Sequence, residues 1–201
     1  MNRRSIGWMG NAAIALIVSL LIGASRGSKA PAISLQASML AQAPSDAVPT
    51  TVEAAPALSG RYEDPQGTFQ IGLLDGVITT TAGGSPLFTL PDGSLSYSVV
   101  QLPLDSENPL PEVTLVALTN QALNNGEGFQ TQTFTSVPQG LQIDWTGRLS
   151  QGNSPPQSIS GSVLANQQGA RVYLLVVAAL EEAAAQVSPT LVALAASLEF
   201  L

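Results

Sequence analysis

One stretch near the C-terminal end, residues 158–180, constrains the fold more than any other part of the sequence. It contains two runs rich in β-branched and apolar residues, which are joined by the turn residues 166–169. The second run, 172–180, has no charged side chain, and both faces of a strand formed by it would be apolar. This pattern is typical of a central strand that is covered on both faces. A buried helix is the alternative, and the preceding turn and the β-branched content favour the strand.

Further strands are predicted on both sides of this run. Alternation of apolar and polar residues predicts strands at 68–73 and 141–149, and the pair Asp75-Gly76 predicts a hairpin into a strand at 77–81. Strands are also expected at 87–90, 94–102, 129–137 and within 158–168. The two faces expected for the run 172–180 are Val172, Leu174, Val176 and Ala178 on one side, and Tyr173, Leu175, Val177 and Ala179 on the other.

Two helices are expected, one in the middle and one at the end. The first begins at Pro111 and ends at Gly126, with Val113 among the residues of its apolar face. The second begins at Ser188 as N-cap, with Val192 among its buried residues. Because antiparallel hairpins dominate and the helices are segregated, the fold class is α+β, an antiparallel sheet with flanking helices.

Cysteine and histidine are absent from the whole sequence. Their absence excludes disulfides, thiolate nucleophiles, imidazole bases, and metal sites built from thiolate or imidazole ligands. The single lysine, Lys29, precedes the expected domain, so a serine–lysine dyad within it is excluded as well. The carboxylate clusters Glu63-Asp64, 105–108 and 181–182 could supply acid/base groups or oxygen ligands for a hard cation, and they are interpreted as solvated loops. The sequence therefore predicts a protein that is not an enzyme, with no catalytic, cofactor-binding or metal-binding residues.

Charge is distributed unevenly along the sequence. Four of the seven basic residues precede position 30, whereas all fourteen acidic residues lie from Asp46 onward. The remainder from Asp46 therefore contains three arginines against fourteen acids, a net charge of −11. A field of this sign repels phosphate backbones and anionic lipid headgroups. Binding to nucleic acid or to an anionic membrane surface is therefore not expected.

The N-terminal segment has the composition of an export signal. The basic pair Arg3 and Arg4 precedes an uncharged, apolar span at 5–25, which matches the length of about 20 residues that crosses a bilayer. Three alternatives stay open for residues 1–30: a cleaved signal peptide, an uncleaved anchor that contacts the membrane through residues 5–25, and an amphipathic or core helix. Small residues permit cleavage after Ala30 or Ala43, although a proline follows each position. Export across a membrane is the expectation.

A linker and a folded domain follow this segment. Residues 31–58 are rich in Ala, Pro, Ser and Thr and have no sustained period, which is typical of a disordered tether. We therefore expect three parts: a signal peptide or membrane anchor at 1–30, a linker at 31–58 and a globular domain at 59–201.

Motifs at both ends of the expected domain resemble the PsbP-like superfamily. They are the run 60–71, with Tyr62, the Asp64-Pro65 turn and the Gly67-Thr-Phe-Gln-Ile motif, the run 171–177, and the final Ser-x-x-Phe at 197–200. The resemblance covers about residues 60–201 and implies the α/β/α sandwich of PsbP- and DcrB-type domains. The family's Pro-x-x-Trp turn, its metal-binding histidines and most of its basic docking residues have no counterpart here. The resemblance therefore implies the fold more strongly than binding to photosystem II.

The candidate site residues are cations and aromatic residues. Arg61, Arg148 and Arg171 are the domain's cations, and each is expected to pair with a carboxylate or, alternatively, to capture an anionic group. Aromatic side chains are frequent in binding surfaces, whereas Trp145 shares a strand face with Ile143 and Leu149 and is expected in the core. The predicted partner surface consists of Arg61, Tyr62, Tyr97 and Arg148.

These observations predict a non-catalytic exported domain that binds a membrane protein complex or assists its assembly. The resemblance implies photosystem II as that complex, and the periplasm or the thylakoid lumen as the compartment. The alternative is an envelope domain that binds a small apolar ligand or a lipid, which the shortage of charge on several faces suggests. No cofactor is expected.

Overall fold

The computed structural model describes residues 56–150 and 155–201. The predictions for the segments 1–30 and 31–55 concern residues outside these ranges. Within the described ranges, neither helix combines the length and the apolar character needed to cross a bilayer.

The described residues form ten strands, two α-helices and one 3-10 helix. The strands are β1 (Leu58–Glu63), β2 (Phe69–Leu74), β3 (Ile78–Ala82), β4 (Ser85–Thr89), β5 (Leu95–Pro103), β6 (Gln130–Val137), β7 (Gly140–Leu149), β8 (Gln157–Gln168), β9 (Arg171–Leu180) and β10 (Glu199–Phe200). Helix α1 spans Glu112–Leu123, the 3-10 helix spans Glu181–Gln186, and helix α2 spans Val187–Ser197. The predicted α+β class is confirmed.

Two antiparallel sheets organise these elements. The large sheet has seven strands in the order β3-β4-β5-β9-β8-β7-β6, and the small sheet has three in the order β1-β2-β10. Helix α2 packs on β8 and β9 of the large sheet and on β2 of the small one, so it holds the two sheets together. Helix α1 contacts β7 and contributes to the core on the opposite face of the large sheet.

Strand β9 is the central strand that the apolar run predicts. It is fourth of seven in the large sheet, paired with β5 on one side and β8 on the other, and its residues from Val172 to Leu180 are all buried. Its two faces divide as expected. Val172, Leu174, Val176 and Ala178 belong to one core, and Tyr173, Leu175, Val177 and Ala179 to another.

The first core lies between the large sheet and helix α1. Leu115 and Leu123 of the helix meet Leu141, Ile143 and other apolar residues of the sheet. Trp145 belongs to this core with 4% of its surface exposed, which confirms its prediction as a core residue. Its ring lies 5.3 Å from that of Phe129 and covers the backbone of Gly161. A Cβ at position 161 would stand 2.6 Å from the indole, so only glycine leaves room for the ring there.

The second core lies between the large sheet, the small sheet and α2. Phe69 and Ile71 of β2 are fully buried in it, as are Leu194 of α2 and Leu175 of β9. The expected hairpin from β2 to β3 is wrong, because β2 belongs to the small sheet and β3 to the large one. The Asp75-Gly76 turn instead connects the small sheet to the large one. The buried face of β2 packs on the large sheet, and β2 does not pair with its strands.

Both helices bury a narrower face than the sequence suggested. In α1 the buried residues are Leu115, Thr119 and Leu123, which are spaced by four, and Val113 is 69% exposed. In α2 the expected N-cap Ser188 lies inside the helix, which begins at Val187 directly after the 3-10 helix, and Val192 is 64% exposed. The predictions for Val113 and Val192 are therefore wrong. Only part of the apolar surface of each helix therefore packs against a sheet.

The position of Val176 predicts a strong effect of a charge at the centre of β9. Val176 is 2% exposed, and a carboxylate there would lose its hydration without gaining a partner. We expect Val176→Asp to lower the free energy of unfolding by more than about 4 kcal/mol. The measurement is urea denaturation of the full chain followed by circular dichroism.

The control is Val192→Asp, the same substitution at an exposed position of α2. Its expected effect is about 1 kcal/mol or less. Equal effects of the two substitutions would show that β9 is not the central buried strand.

Candidate functional site

The side of the large sheet that carries α2 has an uncovered part. Helix α2 and the 3-10 helix pack over β8 and β9, and strands β6 and β7 extend beyond them. A sheet face that stays in water requires polar side chains. Strands β6, β7 and β8 supply them at alternating positions. We call this surface the polar shelf, formed by Gln132, Asp144, Thr146, Arg148, Ser158 and Ser160.

Two adjoining cavities lie on the polar shelf. The first, of about 510 Å³, extends past Arg148 to the 3-10 helix, and we call it the Arg148 cavity. The second, of about 400 Å³, lies over Asp144 and reaches the start of α2. Thr146, Ser160 and Ala184 line both cavities, so the two form one concave surface. The residues of the Arg148 cavity are Gly128, Gln130, Thr146, Gly147, Arg148, Ser158, Ile159, Ser160, Glu181 and Ala184.

Arg148 is the cation of the polar shelf. Its backbone N–H donates to the carbonyl of Glu127 at 2.9 Å, and its side-chain stem lies against Gly128. Gly128 has a φ of 62°, a left-handed conformation that favours glycine. Within the described residues the guanidinium forms no ion pair. The nearby carboxylate of Glu127 instead accepts a hydrogen bond from Ser150 at 2.7 Å.

Asp144 is the anion of the polar shelf. Its carboxylate accepts hydrogen bonds from the hydroxyl groups of Ser162 at 2.5 Å and Thr133 at 3.0 Å, and from the amide of Gln142 at 3.2 Å. Burial raises the pKa of this carboxyl, but the three hydrogen bonds outweigh burial and hold the pKa below its ordinary value. Asp144 is therefore a fixed negative charge that ties β6, β7 and β8 together.

Arg61 and Tyr62 lie on a different surface, at the edge of the small sheet. Arg61 pairs with Glu199 of β10 at 3.1 Å, with about half of each side chain exposed, which confirms for Arg61 the expected pairing with a carboxylate. Tyr62 is half-buried and packs edge-on against Phe88, with 5.1 Å between the ring centroids. Arg148 lies on the large sheet. The residues predicted as one partner surface therefore do not form one.

Tyr97 corrects the predicted partner surface in a second way. It is 1% exposed, and its ring stacks on Phe88 at 4.7 Å inside the second core. Its hydroxyl accepts a hydrogen bond from the N–H of Leu74 at 3.1 Å. Burial raises the pKa of this hydroxyl to about 12, although the bond from Leu74 lowers it. Tyr97 therefore links the two sheets and is not available to a partner.

The described part of the chain holds no group of three or more acidic side chains placed to bind a metal ion. The polar shelf combines one guanidinium, one carboxylate, hydroxyl groups and amides. This combination can donate and accept hydrogen bonds to a bound surface or molecule. The arrangement is suited to binding.

Comparisons with solved structures found several similar chains. A cyanobacterial PsbP from Synechocystis matches at a TM-score of 0.48 with 15% identity, covering 77% of this chain and 98% of its own. The Ran-binding protein Mog1p of Saccharomyces cerevisiae matches at 0.46 with 11% identity, covering 71% and 96%. PsbP, whose superfamily the sequence motifs resemble, is thus among the solved structures to which this chain is similar.

A protein from Bacteroides thetaiotaomicron also matches, at a TM-score of 0.48 with 12% identity over 72% of this chain. The match spans about half, 49%, of that longer protein. No protein-family model and no curated protein matches the sequence.

The hydrogen bonds to Asp144 predict a pH-dependent contribution to stability. Because its pKa is lower in the folded chain than in the unfolded one, the stabilisation is complete above the ordinary pKa of 3.8 and is lost as the pH falls through the folded value. We expect Asp144→Asn to lower the free energy of unfolding by about 1 kcal/mol at pH 7 and by less at about pH 2.5. Urea denaturation at both pH values measures this.

Asp92→Asn is the matched control for this prediction, since Asp92 lies in an exposed turn and its hydrogen bonds within the described residues are with Ser94. Its effect should be smaller at pH 7. A cost of Asp144→Asn that is the same at both pH values would contradict the assignment of Asp144 as a charge held by its hydrogen bonds.

Proposed function

We propose that this chain is a non-catalytic domain, exported across a membrane, that binds a membrane protein complex through the polar shelf around Arg148. Photosystem II is the complex that the resemblance to PsbP suggests, with the thylakoid lumen or the periplasm as the compartment. The apolar span 5–25 supports export in this proposal, as a signal or as an anchor.

The observation that carries the proposal is the state of Arg148. Arg61, the other exposed arginine of the strands, has a carboxylate partner, whereas Arg148 stands in a cavity of about 510 Å³ without an ion pair in the described ranges. A guanidinium presents five N–H donors in a fixed fork, and its planar shape suits a carboxylate or carbonyl of a partner. Its stem already rests on Gly128, so less side-chain freedom is lost when the donors are used.

The charge of the domain adds a second requirement on the partner. Residues 56–201 contain three arginines and twelve acidic residues, so the domain attracts a basic surface from a distance. At the polar shelf the same partner meets a cation beside hydroxyl groups and amides. A basic surface that presents one acidic or carbonyl group is therefore complementary in both respects.

Three features favour binding to a protein over the other functions considered. The full sequence has no histidine or cysteine, and its lysine lies at position 29, so the bases and nucleophiles of most enzymes are missing. Polar and charged side chains line the Arg148 cavity, which does not favour the alternative of an apolar ligand. The shelf is also open and broad, because two cavities share it.

A cross-linking experiment tests the proposal, since the chain has no cysteine of its own. Ser158→Cys places one thiol on the polar shelf, and Thr79→Cys places one on exposed strand β3, at the opposite edge of the large sheet. Each full-length variant is expressed in the organism that normally produces the protein. Isolated membranes are then treated with a thiol-directed cross-linker. We expect an adduct with subunits of a membrane complex from the Ser158→Cys variant, and little from the Thr79→Cys variant.

Arg148→Glu in the Ser158→Cys background should weaken the binding at least about tenfold, measured as the loss of this adduct over a dilution series. Arg61→Glu is the matched control, because it changes the charge equally on the other surface and should leave the adduct intact. Equal adducts from the two thiols, or loss of the adduct with Arg61→Glu alone, would overturn the assignment of the polar shelf.

A further inference from the structure

A second polar cluster lies where the two sheets meet, away from Arg148. It contains Asp64 at the end of the small sheet, and Gln101 and Arg171 on neighbouring strands of the large sheet. All three line a cleft of about 410 Å³. From this cluster we infer that the cleft binds a small zwitterion of the α-amino-acid class, with its ammonium group on Asp64 and its carboxylate on Arg171. The inference goes beyond the proposed function, because none of these residues belongs to the polar shelf.

Asp64 supplies the negative end of the cleft. It is only 8% exposed, and its oxygen Oδ2 accepts a hydrogen bond from the hydroxyl of Thr68 at 2.6 Å and longer ones from the N–H of Thr68 and the amide of Gln101, both at 3.4 Å. These bonds all end on one oxygen, which fixes the carboxylate and leaves Oδ1 for a bound group. A carboxylate buried to this degree is costly unless it is well partnered.

Arg171 supplies the positive end. Its Nη1 donates to Oε1 of Gln101 at 3.2 Å, and within the described residues it forms no ion pair, with Asp64 or with any other carboxylate. The expected pairing with a carboxylate is thus not found for Arg171. Four of its five N–H donors take no part in that bond. Arg171 also lines a second cavity of about 400 Å³, together with Tyr173 and Phe200.

Gln101 sets the spacing of the two charges. Its amide donates to Asp64 through Nε2 and accepts from Arg171 through Oε1, so one neutral side chain lies between the opposite charges and keeps them apart. The carboxylate and the guanidinium thus lie at opposite ends of one amide and form no ion pair with each other. A small zwitterion carries both charges within a few bonds, so it can contact the two groups together.

The rim of the cleft admits a small molecule. The β3–β4 turn on one side is Gly83-Gly84, with positive φ values of 58° and 86°, and a Cβ at Gly84 would have no atom within 4 Å. No side chain therefore narrows this side of the opening. The volume of about 410 Å³ lies within the range of about 300–1,000 Å³ typical of small-molecule sites.

Calorimetric titration of the full chain with each of the twenty standard L-amino acids tests the inference. We expect at least one of them to bind with a Kd of about 1 mM or tighter. For the tightest ligand, the N-acetyl derivative lacks the ammonium group and the decarboxylated amine lacks the carboxylate. Each analogue should bind at least about tenfold more weakly, because each leaves one end of the cleft unpaired.

Variants assign the two ends of the site. Asp64→Asn and Arg171→Gln should each weaken the tightest ligand at least about tenfold. Asp92→Asn and Arg61→Gln change the charge equally at positions outside the cleft and should bind as the unsubstituted chain does. The melting temperature of each variant, followed by circular dichroism, separates loss of the site from loss of the fold. The two analogues test the inference on the unsubstituted chain even if a variant fails to fold.

Three results would overturn the inference. One is that none of the twenty amino acids binds at this level. Another is that the N-acetyl derivative binds as tightly as the free amino acid, which makes the cleft an anion site without a role for Asp64. The third is that the amine alone binds as tightly, which removes the role of Arg171. Because Arg148 takes no part, none of these results bears on the polar shelf.

Discussion

Strand β9 is hydrogen-bonded to β5 on one side and to β8 on the other, and each of its faces contacts a separate apolar core. Each fully buried valine or leucine contributes on the order of 1.5–3 kcal/mol, and β9 buries such residues on both faces. This double burial requires a cover on each side of the large sheet. Helix α1 belongs to the core on one side, and α2 with the small sheet to the core on the other.

The helices and the small sheet that cover the large sheet do not extend over all of it. Both candidate sites lie at the edges of the covered areas. On the side of α2, strands β6 and β7 extend past the helix, which gives the polar shelf and leaves Arg148 in contact with solvent. At another margin the small sheet meets the large one, and there Gln101 donates a hydrogen bond to Asp64 at 3.4 Å. The same constraint thus explains the packed cores and the two polar surfaces. Both surfaces present side chains that can donate and accept hydrogen bonds to a bound group.

The sequence predicted elements whose pattern depends on their own residues and missed features that depend on how far one element covers another. The apolar run in β9 and the alternation in β7 predicted both strands, the residues on each of their faces and the burial of Trp145. These predictions succeed because the alternation of a strand depends only on its own residues. The polar face of β7 was visible too. The sequence could not show that α2 leaves Asp144 and Arg148 uncovered. The residues of α2 contain no information about how many strands lie in the sheet beneath it. Tyr97 was misjudged because its hydroxyl bonds to Leu74, which reaches it through the packing of two sheets.

Native-state hydrogen exchange tests most directly the claim that β9 is the centre on which the rest depends. We expect the amides of β9 to exchange only through global unfolding and to be the slowest in the domain. Amides of the outer strands β3 and β6 should exchange faster, because each pairs with one neighbour only. If the β9 amides exchange as fast as those of β3 or β6, then β9 is not the strand on which the rest of the fold depends.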